Sequence, residues 1–177
     1  MHFLILSGAN ERAIVAACRN LLTEGVGFSI IARPIKDPII GSFLAPYIVA
    51  QRTSDALDIE DLITTLDRVR HQLPSRLIYL PASEALNRLV LAHRGRLETE
   101  AGLEIPLPSP EIYQTLSDKA SFNALAYRFG LETPPREENP ATAALPIVAK
   151  PYAEFSPSSG QKLYPVLIFE EAQREVF

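Results

Sequence analysis

Cysteine occurs once in these 177 residues, tryptophan is absent, and lysine appears only as Lys36, Lys119, Lys150 and Lys162. A single Cys18 excludes an intrachain disulfide. It falls among Ile14, Val15, Leu21 and Leu22 at helical spacing, which predicts a buried core thiol in a reducing, cytoplasmic setting. Positive charge is also scarce: 17 basic residues stand against 21 acidic ones, a net charge of −4. The basic residues are scattered, so a broad nucleic-acid face is not expected. No apolar run approaches the ~20 residues of a membrane span. The apolar start, Met1–Gly8, lacks a basic leader and a cleavage site, and reads as a buried first strand.

Several chemical signatures are missing too. There is no G-x-x-x-x-G-K-[ST], no G-x-G-x-x-G after the first strand, no G-x-S-x-G and no H-E-x-x-H. His2, His71 and His93 are far apart and have no cysteine cluster beside them, so no metal ligand set is expected.

Hydrophobic residues make up 47% of the chain, enough to bury a core. Strand and helix patterns alternate from the start. His2–Ser7, Phe28–Ala32, Tyr47–Ala50 and Leu77–Leu80 read as strands. Helices are expected after Asn10, after Asp58 and after Ser83, each of which can serve as a cap. The third of these is expected to run as far as Leu97. This alternation predicts an α/β fold with a mainly parallel sheet. Ligands of such sheets sit beyond the carboxyl ends of the strands. Ser7, Gly8, Pro81 and Ala82 occupy those ends, as rim residues of a crevice or as plain turn residues.

Character changes near Gly102. Leu103–Leu107 is a candidate fifth strand, and Pro106, Pro108 and Pro110 interrupt regular structure. A short helix over Pro110–Leu116 is followed by one capped by Ser117, with Phe122, Leu125, Ala126 and Phe129 on one face and Gly130 as its stop. Pro146–Lys150 and Leu163–Phe169 read as strands, joined by a Ser/Pro/Gly loop, and Glu170 opens a last helix that the chain leaves short. The expected division is residues 1–108 and residues 109–177.

Three lysines in the second part could carry chemistry. Lys119 stands in the first turn of a helix, where a bound anion would turn an unfavourable dipole contact into a favourable one. Neighbouring Asp118 offers a simpler balance of charge. Lys150 ends an apolar strand and either reaches to solvent or presents a fixed charge to a ligand. Ser156, Ser158, Ser159 and Gly160 form a loop whose backbone N–H groups could approach phosphate, and Lys162 follows it; a hairpin tip beside a solvated strand edge is the simpler alternative.

Taken in order, these segments resemble the ATP-grasp enzymes. Ser117-Asp118-Lys119-Ala120-Ser121-Phe122 with Gly130-Leu131-Glu132-Thr133-Pro134 resembles the family's D-K-x-x-f…G-i-x-x-P motif. Pro146-Ile147-Val148-Ala149-Lys150-Pro151 resembles its P-v-v-l-K-P strand, and Gly160-Gln161-Lys162, Val166 and Glu170-Glu171 resemble the return strand and helix of the small ATP-covering lobe. Carboxylate–amine ligases of the D-aspartate-ligase type are the most similar members.

The resemblance implies a Rossmann-like pre-ATP-grasp domain followed by a partial α+β small lobe. It implies ATP on Lys119 and Lys150, with Lys150 also near the adenine, and a lid made by Ser156, Ser158, Ser159, Gly160 and Lys162. A small carboxylate would lie near Ser7 and Gly8. Magnesium ligands and the adenine hinge would belong to a further lobe, so the 177 residues alone are expected to be inactive. No membrane partner is expected, and pairing with a second copy is left open. A complete, non-catalytic nucleotide-binding or regulatory module is the alternative, and an interaction domain with purely superficial lysines is a third.

Overall fold

The computed structural model describes residues 1–8, 10–133, 139, 141–151 and 163–174. Contacts divide the chain into two units, Met1–Leu125 and Ala126–Phe177.

The first unit is built on five strands: β1 (His2–Leu6), β2 (Gly27–Ala32), β3 (Ile48–Gln51), β4 (Leu77–Leu80) and β5 (Leu103–Glu104). They form one sheet in the order β3-β2-β1-β4-β5, and every pairing is parallel. Helices α1 (Glu11–Thr23), α2 (Ile59–Val69), α3 (Glu84–Ala92), α4 (Arg94–Thr99) and α5 (Pro110–Ser117) supply most of the connections. The fold is α/β and Rossmann-like, as the alternation predicts.

The central strands are apolar on both faces because both faces are covered. Leu4 and Leu6 of β1 enter a cluster with Leu62, Leu66, Leu86, Val90 and Leu97. Ile5 points the other way, into a cluster with Ile14, Cys18, Phe28 and Ile30. That division follows from the period of two along a strand. Cys18 is fully buried, and burial pushes its thiol pKa up to about 11, as fits a core residue rather than a nucleophile.

Several local expectations need correction. β3 starts at Ile48 and β5 ends at Glu104, so both strands are shifted or shorter than the sequence pattern suggests. The helix after Ser83 does not continue to Leu97; it breaks at His93, and α4 begins at Arg94. Asn10 and Ser83 occupy cap positions but make no side-chain cap bond, whereas Asp58 does accept the Glu60 N–H at 2.9 Å.

Within α2, Asp61 reaches back to the end of β3. It accepts the N–H groups of Thr53 and Ser54 at 3.0 and 3.3 Å, and the Thr53 hydroxyl. Burial raises its pKa, but these hydrogen bonds outweigh that, and the carboxyl ends below its ordinary value. A lowered native pKa stabilises the fold above the unfolded value of ~4 and ceases to do so as pH falls through the native value. Asp61→Asn is therefore expected to melt below wild type at pH 6, with the gap closing towards pH 3. Melting temperatures across that range check it; a constant gap would show that ionisation of Asp61 contributes nothing.

The second unit holds the end of α6 (Lys119–Arg128), the strands β6 (Ile147–Ala149) and β7 (Val166–Ile168), and the short α7 (Glu171–Arg174). β6 and β7 pair antiparallel, with Ile147 opposite Ile168 and Ala149 opposite Val166. Ile168 and Ala143 are buried, while Val148 and Leu167 are exposed. The Arg174 guanidinium donates to the Ala143 carbonyl. The expected apolar face of α6 is not a buried one: Ala126 is enclosed, but Phe122 and Phe129 are exposed. No helix among the described residues is long and apolar enough to cross a membrane.

Candidate functional site

In an open parallel sheet the ligand crevice lies where the strand order reverses. Here that point is between β1 and β4, because β2 and β3 extend to one side of β1 while β4 and β5 extend to the other. The loops leaving these two strands are drawn together. The Asn10 side-chain amide donates to the Ala82 carbonyl at 2.9 Å. A Cβ on Gly8 would lie 2.9 Å from the Ser83 Cβ and Oγ, so only glycine permits the approach.

Ser7 is fully buried. Its N–H donates to the Ile31 carbonyl at 2.9 Å, and its hydroxyl has no hydrogen-bond partner among the described residues. Gly8 and Ala82 are half-buried and Pro81 is exposed. Of the residues expected at this rim, Ser7 is inside and the others line the edge.

The helices that begin here do not present open N-termini to a phosphate. Glu11 occupies the first turn of α1 and meets Arg33 at 3.2 Å; Glu84 occupies that of α3 and meets Arg88 at 2.8 Å. A carboxylate thus stands where the dipole would attract an anion, which accords with the absence of a dinucleotide fingerprint.

Lys119 is the first residue of α6 and is exposed. Its cap is Asp118, not Ser117. The Asp118 carboxylate accepts the Ser121 N–H at 2.8 Å, a bond that holds its pKa below the usual range. Ser117 instead closes α5 and donates its hydroxyl to the Tyr113 carbonyl at 2.8 Å. The reason is competition: Ser117 still has a helical carbonyl within reach, while Asp118 is the first residue in extended conformation. α5 is fixed to α3 by Arg88, which donates to Gln114 at 2.6 Å, and by Asn87, which donates to the Tyr113 hydroxyl at 3.1 Å.

Lys150 follows β6 directly and is exposed. Lys119 belongs to the first unit and Lys150 to the second. Ser156, Ser158, Ser159, Gly160 and Lys162 lie outside the described residues. Among the described residues no three His, Cys, Asp or Glu side chains are grouped to hold a metal ion.

No family model matches the chain, and no curated protein matches it. Among solved structures it is similar to the biotin carboxylase domain of a single-chain bacterial carboxylase, at 17% identity and a TM-score of 0.49. That alignment covers 80% of this chain and 32% of the other. The chain therefore spans about a third of the structure it matches.

Two residues at the carboxyl edge escape a reading by motif. Arg33 directly follows β2 and Arg52 directly follows β3. Neither belongs to a recognised pattern. The signal present in the sequence is an arginine within two residues of the end of each of two predicted apolar strands, a position that a parallel sheet turns towards its ligand edge.

Proposed function

We propose that the chain is the amino-terminal part of an ATP-dependent carboxylate–amine ligase of the ATP-grasp kind, similar to the D-aspartate-ligase type. Residues 1–108 would be the preceding α/β domain and residues 109–177 the start of the small ATP lobe. The observation that carries this reading is the course of β6: it leads directly into Lys150 and pairs with an antiparallel return strand that a helix follows, in the order the resemblance requires. Lys119 at the first residue of α6 agrees with the motif upstream of it.

In such a reaction a substrate carboxylate oxygen attacks the γ-phosphorus of ATP. The bond to the bridging oxygen breaks, ADP leaves, and an acyl phosphate forms. An amine then attacks the acyl carbon, the C–O bond breaks, and phosphate departs with its electron pair. Lys119 and Lys150 would bind the triphosphate and spread the charge of the transferred group. The loop of Ser156, Ser158, Ser159, Gly160 and Lys162 would cover it. The carboxylate would meet the sheet edge at Gly8 and the Pro81–Ala82 rim, since Ser7 is enclosed. Magnesium would accompany ATP, with its ligands supplied by a further lobe. The setting would be cytoplasmic.

Titration with Mg-ATP tests this. The 177-residue chain is expected to bind it weakly, and Lys119→Ala or Lys150→Ala is expected to weaken binding about tenfold, the loss of one charge-assisted contact. Phosphate release at a rate typical of such ligases is not expected from these residues alone. Binding that both substitutions leave unchanged would remove the nucleotide reading.

A further inference from the structure

Arg52 is a buried arginine whose Nε is enclosed and unpaired. Only 5% of the residue is exposed, and among the described residues no hydrogen bond or ion pair engages its guanidinium. Its neighbour Arg33 also has an enclosed Nε with no partner among the described residues, while its Nη2 donates to Glu11 at 3.2 Å and to the Lys36 carbonyl at 3.3 Å. The two residues follow the register partners Ala32 and Gln51, so they stand side by side at the carboxyl edge of adjacent parallel strands. Two like charges in that relation repel. A buried charged donor with no acceptor is costly.

The carboxylates nearby do not resolve the problem. Asp37 uses one oxygen on the Arg33 N–H at 3.0 Å and the other on the Ile39 N–H at 3.1 Å. Asp61 is engaged by Thr53 and Ser54. Asp37, Asp55 and Asp61 offset the charge of Arg52 from a distance, but none fills its donor fork. A structural ion pair would have brought one of them into contact. The backbone that carries Arg52 is hydrogen-bonded on both sides: the Arg52 N–H donates to the Ala32 carbonyl at 2.9 Å, and the Gln51 amide donates to the carbonyls of Arg33 and Pro34 at 3.0 and 2.6 Å.

We infer that Arg52, supported by Arg33, binds a compact oxyanion, the carboxylate or phosphate of a small ligand, at the carboxyl edge of β2 and β3. A planar guanidinium with unmatched donors suits two-point recognition of such a group. The negative charges of Asp37, Asp55 and Asp61 act on Arg52 and oppose an incoming anion the more its charge grows, which disfavours a polyanion such as a triphosphate. This site is independent of the proposed nucleotide contacts at Lys119 and Lys150.

Calorimetric titration of the 177-residue chain with sodium phosphate and with succinate, at constant ionic strength, tests the inference. One of the two is expected to bind saturably, and the better ligand identifies the group. Arg52→Met is expected to weaken that binding at least tenfold, the loss of a charged hydrogen-bonded contact. Arg52→Lys keeps the charge but not the fork, and is expected to weaken it severalfold in a chain whose circular dichroism matches wild type. Mg-ATP binding is expected to be the same in all three. Absence of saturable binding by wild type, or equal affinity in both variants, would overturn the site, whatever Mg-ATP does.

Discussion

Tyr79→Ala is expected to cost the fold about 3–5 kcal/mol, the range for deleting a buried aromatic ring. Tyr79 is 1% exposed on β4, within the cluster that joins the sheet to α2, α3 and α4. Its hydroxyl donates to the Asn87 Oδ1 at 2.8 Å, and Asn87 passes the bond on to Tyr113 at 3.1 Å. One side chain therefore ties β4 to α3 and, through it, to α5. Burial, with a smaller effect of Tyr113, raises the Tyr79 pKa strongly, which favours the protonated hydroxyl that donates this bond. Tyr79→Phe keeps the ring and loses the donor, leaving a buried acceptor unmatched at about 1–3 kcal/mol. Urea unfolding with an unchanged m-value measures both. Equal losses in the two variants would mean that the ring itself contributes little.

Gly8→Ala is expected to destabilise by about 1–3 kcal/mol, as overpacking does. The new methyl would stand 2.9 Å from the Ser83 Cβ, which is fixed to the backbone, and 3.2 Å from the Leu86 Cδ1, which can rotate away. The cost comes from pushing apart the two loops at the β1–β4 crevice. Ser83→Gly removes both of the closest atoms. In a double-mutant cycle, Gly8→Ala is expected to cost much less when Ser83 is already glycine. Strict additivity would show that the loops are not in the close approach described.

The two lysines, the sheet-edge arginines and the core report on different levels of the sequence. α2 was readable because Asp58 caps it and Leu62, Ile63, Leu66 and Val69 recur at helical spacing, so local chemistry and burial agree. α6 was readable as a helix but not as a packed one. Its apolar residues satisfy a pattern that burial of Ala126 alone fulfils in the described structure. The break at His93 was not readable, because Leu89, Val90 and Leu97 fit one continuous face; tertiary packing of two shorter helices placed the same leucines in the core. The cap of α6 was assigned one residue early because Ser and Asp are both good caps, and only backbone conformation chooses between them.

Hydrophobic periodicity is a property of short windows, and it determined the alternation of strands and helices, the parallel sheet and the core position of Cys18. The strand order β3-β2-β1-β4-β5, and with it the crevice at Gly8 and the pairing of Arg33 with Arg52, depends on which strands become neighbours. Residues 19 positions apart share no local pattern. Their charges meet because two parallel strands end together, and only the folded sheet brings that about.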